Sequence, residues 1–285
     1  MKLIRWGNPG KEKTGVIIDK VKYDTSSFGE DYDEQFFAND GLNRLSTYLE
    51  ENKGKLRIVA ENERLGAPFA RPSKIVCIGL NYAKHAAETG AANPTEPILF
   101  MKSTTSLVGP NDAIIIPKNS LKTDWEVELA FVIGKKASYV TEDEAMNYVA
   151  GYVLHNDVSE REFQLERGGT WDKGKGCDTF APMGPFMATS DEINDPHNLR
   201  LWLKLNGKIL QDSNTDDLIF NIPYLISYVS QFMTLLPGDV ISTGTPAGVG
   251  LGLKPPVFLK AGDVIELGID GLGEARQVAE AYGES

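Results

Sequence analysis

Two glutamates one residue apart, Glu126 and Glu128, stand in the stretch Thr-Asp-Trp-Glu-Val-Glu-Leu-Ala-Phe at 123–131. Val127, Leu129 and Phe131 alternate with them. That is the period of a half-buried strand, so both carboxylates leave one sheet face together. Like charges so close repel unless one is protonated or a cation lies between them. A hard divalent ion such as Mg²⁺ suits an all-oxygen site. A third carboxylate, Asp157, closes a second strand-like run, Val149 to Val158. Exposed strand faces also carry Glu-x-Glu pairs, so the surrounding residues must decide.

Further reactive groups lie on both sides. His85 and Glu88 fall three apart in a short helical stretch, Asn81 to Glu88, which Gly90 stops. They share a helix face, and a carboxylate beside an imidazole raises its basicity and fixes its tautomer. The pair is a candidate general base for a water. Lys102 ends an apolar strand that runs into a hydroxyl-rich loop, a place for an anionic oxygen. Arg161 and Gln164 lie one turn apart in the helical stretch after Asp157. Gly169 to Lys175 copies the start of a phosphate loop, G-x-x-x-x-G-K. Gly176 stands where the magnesium-binding hydroxyl belongs, and no buried strand precedes the loop. It reads as a mobile loop presenting Lys175, not as a nucleotide site. Thr243 and Thr245 sit in a glycine-rich loop whose hydroxyls and amides can bind a carboxylate.

The elements that must position these groups are mostly short strands. Residues 1–70 read as a small separate unit with strands at Lys2–Trp6 and Gly15–Asp19, loops from Asp24 to Asp40 and a helix at Leu42–Asn52. Pro68 and Pro72 mark its end. Residues 71–285 then carry strands near 73–80, 97–102 and 112–117, and a hairpin turning at Asn206-Gly207. An amphipathic helix follows at 221–233, and a last strand at Val264–Ile269. The pattern predicts a mixed α+β, mainly β fold. A doubly wound parallel sheet fits poorly.

Composition bounds the function. The chain has 285 residues, 41% of them hydrophobic and 24% charged, with a net charge of −11. That balance opposes a nucleic-acid backbone or an anionic membrane as partner, and leaves room for a small anionic substrate at a local positive site. No run approaches the roughly 18 apolar residues of a membrane span. The opening decapeptide lacks the pattern of a signal peptide. Cys77 and Cys177 lie far apart, which predicts free thiols and a cytoplasmic location.

Taken together, five motifs resemble the fumarylacetoacetate hydrolase family. They are Ile-Gly-Leu-Asn-Tyr-Ala-Lys-His-Ala-Ala-Glu, Phe-Met-Lys-Ser, Trp-Glu-Val-Glu-Leu-Ala-Phe-Val-Ile-Gly, Asn-Asp-Val-Ser-Glu-Arg and Pro-Gly-Asp-Val-Ile-Ser-Thr-Gly-Thr-Pro-Ala-Gly-Val-Gly. They occur in the family's order over about residues 73 to 270. The resemblance implies a mixed β-roll, a homodimer, and a divalent metal, Mg²⁺ or Mn²⁺, on Glu126, Glu128 and Asp157. It carries the lid dyad of the acylpyruvase-like branch onto His85 and Glu88. Arg161, Gln164, Lys175 and Thr245 fall on positions around the substrate. The chain departs from the family's Lys-Pro-Ser by having Lys-Ser-Thr at 102–104, so Lys102 is the weaker substrate-binding candidate. His155, two before Asp157, reads as structural.

The stretch Glu-Arg-Gly-Gly-Thr-Trp-Asp-Lys-Gly-Lys-Gly-Cys-Asp-Thr-Phe resembles a narrower group. Its members are often labelled ureidoglycolate lyase and include hydrolases of 2,4-diketo-3-deoxy acids in sugar acid catabolism. The resemblance implies hydrolysis of a 2,4-diketo acid to pyruvate and a hydroxy acid, with His85 activating water and Lys175 balancing the developing negative charge. Oxaloacetate decarboxylation and ureidoglycolate lysis are the rival enzyme readings. A metal-stabilised scaffold is the rival outside enzymology, and it would have no need of an activated base beside the metal.

Overall fold

The computed structural model describes residues 1–283 apart from 53 and 91. Its centre is a ten-stranded sheet. From the amino-terminal edge the order runs Val21–Asp24, Lys13–Ile18, Lys2–Trp6, Met187–Thr189, Val149–Asn156, Val127–Ile133, Val240–Ser242, Ile75–Gly79 and Ile98–Lys102, with a two-residue strand at Leu65–Gly66 off that path. A second sheet of five strands contains the Arg200–Leu205 and Lys208–Asn214 hairpin, Val264–Ile269, Gly273–Ala281 and Ile114–Ile116. Helices are short and few beside this, so the architecture is the mixed, mainly β fold that the strand pattern predicts.

The Val127–Ile133 strand lies inside the large sheet and is buried at every residue. Its alternation separates two cores. Val127, Leu129, Phe131 and Ile133 pack with Leu201, Leu203, Ile265 and Leu267 of the second sheet and with the apolar side of the Ile222–Phe232 helix. Ala130 and Val132 face the other way, with Ile75, Cys77, Val153 and Val240, against Leu3, Phe36, Phe37 and Leu45 of the amino-terminal segment. The strand is therefore covered on both sides, not half-buried as its alternation predicts. Sequence periodicity registers polarity, and here the polar positions are buried as well. Residues 1–70 contribute strands to the same sheet through the pairing of Lys2 and Leu3 with Ala188 and Met187.

Other local differences have plain causes. The Asp24–Asp40 region holds a short helix, Glu34–Ala38, started by Asp33, whose carboxylate accepts from Phe36 N. A strand beyond Ile269 exists at Gly273–Ala281. Its inward positions are Ala275, Gln277 and Ala279, too small or polar to give an apolar period. The Ile222–Phe232 helix begins as predicted, with Asn221 accepting from Tyr224 N. No helix among the described residues is long and apolar enough to cross a membrane.

Candidate active site

Strand register brings the acidic residues together. Val127 pairs with Asn156 and Glu128 with His155, so Asp157 leaves its strand beside Glu126. Asp157 N donates to Glu126 O at 2.9 Å. Glu126, Glu128 and Asp157 are all buried, and one carboxylate oxygen of each lies within 4.8 Å of the others. Among the described residues this is the one such group.

Cations thread between two of the three. Lys175 Nζ donates to Glu126 Oε2 at 2.7 Å and to Asp157 Oδ2 at 2.8 Å. Arg161 lies 2.7 Å from Glu126 Oε1 and donates from Nε to Asp124 Oδ2 at 2.8 Å. Lys102 Nζ donates to Asp157 Oδ1 and to Val158 O. Glu128 is held differently: its Oε2 accepts from Ser242 Oγ at 2.5 Å and from Gly244 N at 3.1 Å. Ser242 Oγ is also 2.7 Å from His155 Nδ1. With the serine proton given to Glu128, His155 donates from Nδ1. Its Nε2 is then a buried lone pair without a hydrogen-bond partner among the described residues.

The charges follow from this geometry. Burial works against ionising Asp157, but Lys102 and Lys175 outweigh it and hold its carboxyl well below the usual range. Burial likewise opposes ionisation of Glu126, and Lys175 and Arg161 reverse it. Glu128 goes the other way: burial, then the charges of Asp157 and Glu126, push its carboxyl well above the usual range. Burial opposes the charge on Lys175, and Asp157 and Glu126 keep the ammonium protonated. Burial drives His155 down to about 3, so it stays neutral. The donor set is all oxygen. An ammonium already bridges two of the carboxylates, and the third has no cation of its own. These residues fit a hard divalent ion.

The other reactive groups meet the same space. A cavity of about 170 Å³ is lined by Glu126, Glu128, His85, Arg161, Gln164 and Lys175, with Thr245 beside them. His85 Nδ1 lies 3.3 Å from Glu88 Oε2. Both Glu88 oxygens accept from Gly248 N at 3.1 Å, which ties the Ala83–Thr89 helix to the glycine-rich loop. Thr245 Oγ1 donates to Val127 O and accepts from Gln211 Nε2. Gln164 Oε1 accepts from Arg161 Nη1, which leaves its amide N–H groups as available donors. Lys102 touches Asp157 but does not line the cavity. Two larger clefts, of about 610 and 910 Å³, hold no carboxylate group close enough to share an ion, among the described residues.

Lys175 arrives on one helical turn, Asp172–Lys175, with its side chain buried, and not on a mobile loop. Gly174 makes this approach possible. A Cβ there would stand 2.4 Å from Glu160 O and 2.6 Å from Gln164 Cβ, so only glycine lets the turn lie on the Arg161–Leu165 helix. Three participants escape sequence reasoning. Asp124 clamps Arg161 and accepts from Gly250 N and Leu251 N. Ser242 and the Gly244 amide hold Glu128. For Asp124 the available signal was its place one residue before Trp125-Glu126. For Ser242 it was the hydroxyl run Ser-Thr-Gly-Thr.

Comparison with known proteins bears on this geometry. The family model described as Fumarylacetoacetate (FAA) hydrolase C-terminal matches residues 74–279. A Burkholderia cenocepacia protein named only as a hydrolase is 52% identical over 280 residues, covering 97% of this chain and 98% of that one. The solved fumarylacetoacetate hydrolase of Exiguobacterium antarcticum is 33% identical, with a TM-score of 0.86 and 99% of both chains covered. The maleylpyruvate hydrolase of Sphingobium sp. SYK-6, solved with manganese(II) and pyruvate, is 30% identical, with a TM-score of 0.81 and 99% of both chains covered.

Proposed function

The chain belongs to the fumarylacetoacetate (FAA) hydrolase family, and from that premise we propose that it hydrolyses the C3–C4 bond of a 2,4-diketo acid to pyruvate and a second carboxylic acid. The substrate we favour is a sugar-derived acid of the 2,4-diketo-3-deoxy-L-fuconate or rhamnonate type. The observation that carries the reading is the placement of His85, backed by Glu88, on the same small cavity as Glu126 and Glu128. The similar maleylpyruvate hydrolase, solved with manganese and pyruvate, supports the metal and the product.

In this reading Glu126, Glu128 and Asp157 hold Mg²⁺ or Mn²⁺. When bound, the ion would supply Lewis-acid polarisation. Glu88, anchored on Gly248 N, fixes the imidazole of His85 through Nδ1, so that Nε2 takes a proton from water. The hydroxide formed adds to C4. The C3–C4 bond then breaks, C4 leaves as a carboxylic acid, and C3 takes up a proton to complete pyruvate. Lys175 offsets the negative charge that develops on the pyruvate half. Gln164 and Thr245 orient the substrate.

The test compares products from Mg²⁺-loaded protein given 2,4-diketo-3-deoxy-L-fuconate, acetylpyruvate, oxaloacetate or ureidoglycolate. Fast pyruvate release from the diketo acids supports the reading. Preference for oxaloacetate would replace it with decarboxylation, which needs no attacking water. Glyoxylate from ureidoglycolate alone would make the protein a lyase. No turnover of any of the four would favour a scaffold.

A further inference from the structure

The same cavity limits what the substrate can carry beyond its keto-acid end, and this inference rests on the reading above. Five buried carboxylates, on Asp124, Glu126, Glu128, Asp157 and Glu160, face three buried cations, on Lys102, Arg161 and Lys175. One divalent ion cancels that deficit and leaves no surplus positive charge for a second substrate carboxylate. The two cations that line the cavity are both committed. Arg161 spans Asp124 and Glu126, and Lys175 spans Glu126 and Asp157.

The rest of the wall is mainly apolar, formed by Leu80, Phe100, Trp171, Val249 and Leu251. Trp171 is seated against Gly79, where a Cβ would stand 2.5 Å from its ring, and its centroid lies 5.4 Å from that of Phe100. Leu165, 47% exposed, also lines the cavity, one residue after Gln164. No further cation lines the cavity among the described residues. A second carboxylate on the substrate would meet no further cation there, only the Gln164 amide, beside a wall that is otherwise apolar and a floor of carboxylates.

We infer that the site selects monocarboxylate 2-keto acids with a short, uncharged tail, and that it rejects dicarboxylates of the same length, with Leu165 as a position that sets this preference. The lactoyl tail of 2,4-diketo-3-deoxy-L-fuconate meets the description: one methyl for the apolar wall and one hydroxyl for the Gln164 amide.

Binding tests this without requiring turnover. Mg²⁺-loaded protein is titrated calorimetrically with 2-oxopentanoate and with 2-oxoglutarate, which differ only at C5. The monoacid should bind tighter by about tenfold or more. Leu165→Arg should strengthen 2-oxoglutarate binding by about the same factor and leave Mg²⁺ affinity unchanged. Equal or tighter binding of 2-oxoglutarate by the unaltered protein, or no binding of either acid, overturns the inference. Acetylpyruvate cleavage, measured alongside, separates the two levels. Cleavage with diacid preference sinks the inference and leaves the hydrolase reading. Monoacid preference without cleavage of any diketo acid sinks the hydrolase reading and leaves the inference.

Discussion

Asp239 and Glu128 are both buried carboxylates tied to the three-residue strand Val240–Ser242, and they are satisfied in opposite ways. Asp239, just before the strand, accepts from Ser73 Oγ, Lys74 N and Leu236 N, and pairs with Lys74 Nζ. Every partner is a neighbour fixed by the local fold. Glu128, held by Ser242 at the strand's other end, faces Glu126 and Asp157 and has no cation of its own among the described residues. Desolvation and two like charges push its proton affinity up. Asp239 is what a structural carboxylate looks like: its donors are built in. Glu128 keeps an unmet demand for positive charge, which suits it to hold the proposed ion.

The contrast can be broken by substitution. Glu128→Gln should reduce metal-dependent turnover by at least about a thousandfold and abolish tight Mg²⁺ binding. Melting of the EDTA-treated variant should be unchanged or raised, because the amide removes a desolvated acid beside two carboxylates. A large fall in stability would place Glu128 with Asp239 instead. His85→Ala should slow hydrolysis by about a hundred- to ten-thousandfold and leave Mg²⁺ binding intact. Lost metal affinity would make His85 a ligand. Asp239→Asn should do the reverse of Glu128→Gln: turnover and metal binding stay, and chemical denaturation shows a loss of about 1–3 kcal/mol.

The smallest effect is a pH dependence. Glu128's folded value is raised, so without metal its neutral form contributes stability that is present below the unfolded value and lost as pH rises through the folded value. A divalent ion must displace that proton, so apparent Mg²⁺ affinity should rise with pH and flatten once the folded value is passed. Proton release measured in buffers of different ionisation heat checks this. Release that persists in Glu128→Gln would assign the proton elsewhere.

Parts of this site are legible in the chain because they depend on local periodicity. Alternation puts Glu126 and Glu128 on one face, and the spacing of His85 and Glu88 puts them on one helix side. The Asn206-Gly207 turn likewise announces its hairpin. What is not legible depends on distant packing. Alternation cannot tell a strand covered on both faces from a half-buried one, and so the depth at which the carboxylates lie is missing. Ser242 reaches Glu128 only because their strands pair, with Ala130 opposite Ser242. Trp171 becomes cavity wall only because Gly79 leaves room for its ring. The Gly273–Ala281 strand hides behind alanines. Lys175 is visible as a lysine in a glycine-rich stretch, but its burial between Glu126 and Asp157 follows from Gly174, which lets that turn close on the neighbouring helix.

The central claim is that metal held by Glu126, Glu128 and Asp157 is needed for cleavage of a 2,4-diketo acid. Pyruvate release from acetylpyruvate, followed in Mg²⁺-loaded protein, after EDTA and after Mn²⁺ is restored, tests it most directly. The account predicts release that disappears on chelation and returns with manganese. Release that persists at full rate in the chelated protein would contradict it.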